Sequence, residues 1–338
     1  MRCAVIGSGS WGTAIARHLG RQDDVTVTMW AHSAHVAEGI NERHKNPSYL
    51  QDAQLEAGVR ATTDLVACVS GADAVVYVTP STHLREVARA TAGTLGARTP
   101  AVVLTKGIEQ GSGRLMIDVV SDEVGAPERL ACLSGPNLAG EIARDLPAAS
   151  VIAARDRAVG AFFQGLFHSE LFRTYLSDDV IGVETCGAAK NVVAIACGIA
   201  HGLGMGDNTA AMLMTRGLAE MSRLVQASGG NPLTCMGLAG MGDLVATCTS
   251  PRSRNFSFGE GFARGETIEQ YGARTHMVVE GYYACASIRE LAARLNVEAP
   301  LTNAVYELLH EHRSLDATIQ SLFERAPRKE LYGIAGAR

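Results

Sequence analysis

The 338-residue sequence predicts two domains: an α/β N-terminal domain with a doubly wound parallel sheet over residues 1–178, and an all-α C-terminal domain over residues 179–338. Three observations carry this expectation. The chain opens with an apolar run, Ala4-Val5-Ile6, that leads into Gly7-Ser8-Gly9-Ser10-Trp11-Gly12 and then a helical segment from Thr13 to Leu19. Short apolar runs next alternate with helical patterns, as strands buried on both faces alternate with crossover helices. After about Asp178 the alternation stops, and Ala-, Leu- and Met-rich segments such as 209–227 and 280–295 read as helices with no strand between them.

Strand, GxGxxG and helix in that order form the dinucleotide-binding fingerprint of a Rossmann-type domain. Gly7 allows the tight turn, Gly9 lets a pyrophosphate approach the backbone with no Cβ in the way, and Gly12 lets helix and strand pack closely. The helix N-terminus turns unpaired N–H groups toward the phosphates. A second strand, 25–30, completes the unit and runs out into Ala31-His32-Ser33, where an NAD-only site usually places a carboxylate for the ribose 2′-hydroxyl. Two readings of His32 stand: a neighbour of the ribose that tolerates or favours the extra phosphate of NADP, or an ordinary polar loop residue. Further strands are expected at 74–78, 101–104, 130–133 and 150–153. Three strand ends, at Thr79-Pro80-Ser81, Thr105-Lys106-Gly107 and Ser134-Gly135-Pro136-Asn137, are predicted to line the cofactor cleft, because ligands of open α/β sheets bind beyond the carboxyl ends of the strands.

A hydrophobic content of 47%, a charged content of 19% and a net charge of −5 describe a globular chain without a polyanion-binding surface, so nucleic acid is not an expected partner. No leader pattern or apolar run of membrane-spanning length is evident, and a cytoplasmic protein with no membrane partner is expected. The eight cysteines contain no CxxC pair and mostly sit in apolar stretches. They read as buried reduced thiols, and no metal is predicted.

Lys190 lies in a segment of small and apolar residues, from Cys186-Gly187-Ala188-Ala189 to Val192-Val193-Ala194. Burial disfavours an ammonium and lowers its pKa, which suits proton exchange near neutrality; a lysine snorkelling along a helix surface is the other reading. The stretch from Gly240 to Asn255 supplies a carboxylate at Asp243, hydroxyls, guanidinium groups and an amide. Ser253-Arg254-Asn255 reads as a helix start, where backbone N–H groups and a guanidinium would converge on a phosphate; a capped surface helix with an exposed arginine is the alternative.

Together these features fit hydride transfer to a small phosphorylated carbonyl compound. The sequence resembles the bacterial-type NAD(P)-dependent glycerol-3-phosphate dehydrogenases over essentially its whole length. The resemblance is carried by IGSGSWGTA at 6–14, TKG at 105–107, SGP at 134–136, KNVVAIA at 190–196, TRGLAEMSRL at 215–224, GMGDLVATCTSPRSRN at 240–255 and VVEGY at 278–282. It implies a helical half of the 6-phosphogluconate dehydrogenase C-terminal type, NADPH or NADH as cofactor, and interconversion of dihydroxyacetone phosphate and sn-glycerol 3-phosphate in support of phospholipid synthesis. It further implies that Lys190 exchanges the proton with the C2 oxygen, with Lys106 a second cation near substrate and cofactor. Asp243 would orient substrate or lysine with help from Thr247, Gly135 and Asn137 would line the substrate site, and Ser253, Arg254 and Asn255 would grip phosphate or hydroxyls. Ser10, Trp11, His32, Lys106, Ala139, Arg254, Val278 and Glu280 would meet the cofactor, along with the fingerprint glycines.

One segment departs from the family. Where Ser or Thr, then Phe, Ala, Lys and Glu often follow Gly-Pro, this chain has Asn137-Leu138-Ala139-Gly140-Glu141. A side-chain amide still donates and accepts where a hydroxyl would. Two alternatives stand beside the main reading: another β-hydroxyacid dehydrogenase with a carboxylated substrate, and a non-catalytic NADP(H) sensor. The apolar faces of the helical half leave room for a homodimer.

Overall fold

In the computed structural model, which describes residues 1–334, the sheet is built outward from β1 (Arg2–Ile6), whose last four residues are buried. The remaining strands are β2 (Thr26–Trp30), β3 (Val59–Thr62), β4 (Ala74–Tyr77), β5 (Ala101–Val103), β6 (Leu130–Ser134), β7 (Ala148–Ala154) and β8 (Phe172–Ser177). They form one sheet in the order β3-β2-β1-β4-β5-β6-β7-β8. The first six strands are parallel and doubly wound, with the order reversing between β1 and β4, and helices such as Ser10–Gly20 make the crossovers.

A wholly parallel sheet was the expectation, and β7 departs from it. It runs antiparallel to β6, with Leu133 opposite Ile152, and β8 then runs parallel to β7. The connection from β6 to β7 holds only the one-turn helix Ala139–Ile142, so the chain doubles back instead of crossing over. The interior residues of β6 and β7 are buried, and an apolar run carries no mark of strand direction. β3 and β8 escape the sequence reading because they are half-exposed and interrupted by Arg60 and Arg173.

The chain packs as two compact units, the first comprising residues 1–105 and 116–180, the second 106–115 and 181 onward. The segment 106–115 therefore belongs with the helices; it folds back through an Ile108–Leu115 bridge, and Arg294 donates to the Ser112 carbonyl at 2.9 Å. The second unit is built around the helix Val180–Gly202, which is long and apolar enough to span a bilayer, contrary to the sequence expectation. Its most apolar stretch is 94% buried inside the protein, and it carries Glu184 and Lys190, which makes it a core helix. It meets the helix Arg254–Ala263 backbone to backbone: a Cβ on Gly198 would stand 2.0 Å from the Phe256 carbonyl oxygen, and one on Gly259 would stand 2.2 Å from that of Ile195.

Candidate active site

In the first unit the fingerprint loop has three glycines with three different surroundings. Gly7 has φ +132°, and a Cβ there would meet the Val78 carbonyl oxygen at 2.8 Å. A Cβ on Gly12 would stand 2.0 Å from the Gly7 oxygen. Both glycines are required by the protein's own packing. Gly9 is different: it caps the helix Ser10–Gly20 in extended conformation, and a Cβ there would meet nothing within 4 Å. Nothing in the fold accounts for Gly9, whereas a pyrophosphate laid on the backbone does, and in this respect the loop fits a dinucleotide. Ser10 and Trp11 form the first turn, which has no acidic residue and no side-chain cap.

Asn46, which sequence reasoning missed, secures this loop. It is fully buried, its Nδ2 donates to the Ser8 carbonyl at 2.7 Å and to Thr13 Oγ1 at 2.8 Å, and its Oδ1 accepts from the Ser48 and Tyr49 amides. Its position 33 residues beyond Thr13 carries no motif that would have identified it. His32 is exposed just after β2 and meets the Trp30 ring edge-on. Gly135 has φ +151° and packs on the Ala149 carbonyl. Asn137 accepts from Ser150 Oγ at 2.7 Å, while its buried Nδ2 has no hydrogen-bond partner among the described residues. Ala139 begins the one-turn helix that follows.

In the second unit, residues from three separate stretches converge on one carboxylate. Asp243 and Thr247 lie one turn apart on the helix Asp243–Thr249, which follows a π-helical turn at Leu238–Gly242. Lys190 comes from the core helix and Lys106 from the returning segment. Lys190 Nζ donates to Asp243 Oδ1 at 3.0 Å and to Thr247 Oγ1 at 2.7 Å, and Lys106 Nζ donates to Asp243 Oδ2 at 2.5 Å. Thr247 also donates to Asp243 Oδ1 at 3.1 Å. Lys190 is 7% exposed and Asp243 2%, so Lys190 is not a snorkelling surface lysine. An ammonium has three N–H donors, and Lys190 has one left over from these two bonds.

Burial lowers the Lys190 pKa to about 8 against the pull of Asp243, and the Lys106 ammonium adds to the lowering. Burial pushes the Asp243 carboxyl up, but the two ammonium groups outweigh it and hold the group below the ordinary carboxylate range. The cluster therefore holds an ionised acid and a lysine able to exchange a proton near neutrality.

An N-terminal family model described as NAD-dependent glycerol-3-phosphate dehydrogenase matches residues 2–160, and its C-terminal counterpart matches residues 179–320. The chain belongs to the NAD-dependent glycerol-3-phosphate dehydrogenase family. Among its relatives, a glycerol-3-phosphate dehydrogenase (NAD(P)+) of Streptomyces griseus is 45% identical over 331 residues, covering 98% of each chain. One from Nocardia farcinica is 47% identical over 336 residues, covering 97% of this chain and 99% of that one. The crystal structure of glycerol-3-phosphate dehydrogenase from Coxiella burnetii superposes with a TM-score of 0.91 at 38% identity, over 96% of this chain and 99% of that chain. A ketopantoate reductase from Ralstonia eutropha, at 17% identity and TM-score 0.61, shares the fold.

In this member of the family, Arg254 is the exposed first residue of the helix Arg254–Ala263. Ser253 is buried, and its side chain caps that helix by accepting from the Phe256 amide at 3.3 Å. Asn255 is buried too; its Nδ2 donates to Asn191 Oδ1 at 2.8 Å and its Oδ1 accepts from the Gly281 amide at 2.9 Å. These bonds tie together the helices that carry Lys190, Arg254 and Glu280. Asn191, adjacent to Lys190 in sequence, was not among the predicted site residues, since its partner lies 64 positions away. Glu280 opens the helix Glu280–Arg294, and Val278 is half-buried just before it.

Proposed function

We propose that this protein interconverts dihydroxyacetone phosphate and sn-glycerol 3-phosphate, with NADPH or NADH as the hydride source and Lys190 as the proton donor and acceptor. The observation that carries the proposal is the buried lysine with one N–H to spare, held by a carboxylate that a second lysine also grips. The nicotinamide cofactor supplies the hydride that C2 of the substrate receives. Lys190 gives its proton to the C2 oxygen, a transfer favoured by a donor whose pKa of about 8 lies near the working pH. In the reverse direction the neutral amine takes the proton back. Asp243 and Thr247 hold the Lys190 side chain in place, and the Lys106 ammonium makes Lys190 a readier proton donor by adding to the lowering of its pKa.

Arg254 and the first-turn N–H groups of its helix suit the substrate phosphate, because a planar cation and a helix N-terminus both favour an anion. Asn137 offers an unused Nδ2 donor to the substrate, and Gly135 keeps the backbone beside it free of a side chain. Ser253 and Asn255 support binding by fixing the position of the arginine. Ser10, Trp11 and the fingerprint glycines hold the pyrophosphate, with Lys106, Ala139, Arg254, Val278 and Glu280 as further cofactor contacts. His32 leaves the ribose end without a carboxylate, which suits NADP. The enzyme works in the cytoplasm, and its product feeds phospholipid synthesis.

The test is loss of reduced-nicotinamide absorbance with purified protein and dihydroxyacetone phosphate, run with NADPH and with NADH, and with unphosphorylated dihydroxyacetone as control. Phosphate-dependent oxidation is expected. Cofactor binding without turnover would instead identify a sensor or a different substrate.

A further inference from the structure

Asn46 stands in the loop between the helix Ala34–Arg43 and β3, and its side chain uses both of its donors and both of its acceptor positions. Nδ2 donates to the Ser8 carbonyl and to Thr13 Oγ1, and Oδ1 accepts from the Ser48 and Tyr49 amides at 3.0 Å each. An amide N–H only donates and a carbonyl only accepts, so the backbone on either side dictates which way this side chain is turned. The Thr13 hydroxyl donates to the Ser8 carbonyl as well, at 3.3 Å, and the three groups close a triangle on that one oxygen.

The loop that carries Asn46 is itself fastened to the fingerprint helix Ser10–Gly20. Leu55 donates its N–H to the His44 carbonyl at 2.8 Å, which closes the base of the loop. Arg17 of the helix donates from Nε to the Gln54 carbonyl at 3.0 Å. The loop therefore meets the helix at Thr13 and again one turn later at Arg17.

The Ser8–Gly9 peptide is trans and planar, so its C=O and its N–H point in opposite directions. The carbonyl is drawn inward onto a fully buried amide, and the Gly9 N–H is thereby turned away from it. Gly9 is half-buried, and a Cβ there would meet nothing within 4 Å. Ser8 lies between two glycines, whose freedom in φ and ψ would let this peptide turn over if nothing held its carbonyl. A carbonyl oxygen would then face the phosphates in place of an N–H.

We propose that Asn46 is a positioning residue for the cofactor: by holding the Ser8 carbonyl inward it keeps the Gly9 N–H aimed at the pyrophosphate. The proposal rests on the fingerprint loop being the pyrophosphate site. Asn46 acts through Ser8 and Gly9 and not by contact with the cofactor.

Fluorescence titration of the full-length protein with NADPH tests this, with circular dichroism to verify folding. Asn46→Asp keeps the acceptor for Ser48 and Tyr49 but removes the donor to Ser8, and should weaken NADPH binding about 100-fold. Asn46→Ala, which adds no charge, should weaken it about tenfold. Thr13→Ala removes the other partner of Nδ2 but leaves the bond to Ser8, and should stay within about threefold of wild type. In turnover the Asn46 variants should raise KM for NADPH with kcat moved much less, whereas a partly unfolded enzyme loses kcat at unchanged KM. Wild-type affinity in both Asn46 variants would overturn the proposal. So would weakening confined to Asn46→Asp, which is an effect of charge, or a loss in Thr13→Ala as large as that in Asn46→Ala. Should the Asn46 variants not fold, a tenfold loss in Thr13→Ala still overturns the proposal and retained affinity upholds it. A wild-type protein that binds no NADPH would overturn it together with the reading of the fingerprint loop, a result distinct from each of these.

Discussion

Replacing Asp243 with Asn removes the charge that two lysines share while nearly preserving the shape of the side chain. Lys190 Nζ lies 3.0 Å from the nearer carboxylate oxygen. At an effective dielectric constant of about 20 the lost attraction is at most about 5.5 kcal/mol. Half of that moves a titration toward acid by about two pH units. Lys190, 8% exposed at its side chain against 18% for Lys106, is the more deeply buried of the two lysines, and it is the group that discharges. Starting from a pKa of about 8, Lys190 is about 90% protonated at pH 7 in the wild-type enzyme and about 10% in the variant. Reduction of dihydroxyacetone phosphate at pH 7 should fall about tenfold from protonation alone, and further because the lysine loses its orienting partner. The loss of stability through Lys190 is limited, since discharging a group with a pKa of about 8 at pH 7 costs about 1.4 kcal/mol. The assay is kcat/KM for reduction across pH 5.5 to about 9.5, with circular dichroism to verify folding. With the protonated Lys190 amine as the proposed donor, the wild-type profile should fall as pH rises through about 8, and the fall should begin about two pH units lower in the variant. A folded variant whose profile still falls near pH 8 would refute the assignment of Lys190 as the donor.

Arg254→Ala should raise KM for the phosphorylated substrate about 10- to 100-fold, the worth of a charge-assisted hydrogen bond, with kcat changed much less; an unchanged KM places the phosphate elsewhere. Gly9→Ala should leave thermal stability within about 0.5 kcal/mol, because the new methyl meets no protein atom, yet weaken NADPH binding in a fluorescence titration. Gly12→Ala should cost about 3 kcal/mol or more in urea unfolding, since its methyl would lie 2.0 Å from the Gly7 oxygen. His32→Asp should shift the ratio of NADPH to NADH efficiency toward NADH by about tenfold, measured as kcat/KM with each cofactor; no shift would make His32 a bystander.

What the sequence discloses here is what lies close together along the chain. The turn from β1 through Gly7, Gly9 and Gly12 is legible because its glycines recur at a fixed short spacing between a strand and a helix, even though Gly7 itself packs on Val78, far along the chain. Lys190 is legible as a charge among apolar residues. The direction of β7 is not, because a strand buried on both faces reads the same either way. Nor is the convergence of Lys106, Lys190 and Asp243, whose members are 137 and 53 positions from the carboxylate. Ser253 and Asn255 show a subtler limit: the resemblance implies that both grip substrate, and the structure adds internal hydrogen bonds that the sequence does not disclose, one capping a helix and the other joining three. Polar residues beside a proposed binding arginine look alike in sequence whether they touch the ligand or position the residue that does.

The contact at Gly198 and Gly259 leaves no layer of side chains between the core helix and the helix that begins at Arg254. Side chains can change rotamer and let two helices slide, but main chain against main chain has no such slack, and the Asn191–Asn255 hydrogen bond fixes the register. In the proposed reaction the proton donor stands on one of these helices and the phosphate anchor on the other. The span between them is then a fixed length, and the enzyme should measure its substrates: a ketone phosphate with one more carbon between carbonyl and phosphate would satisfy either end but not both.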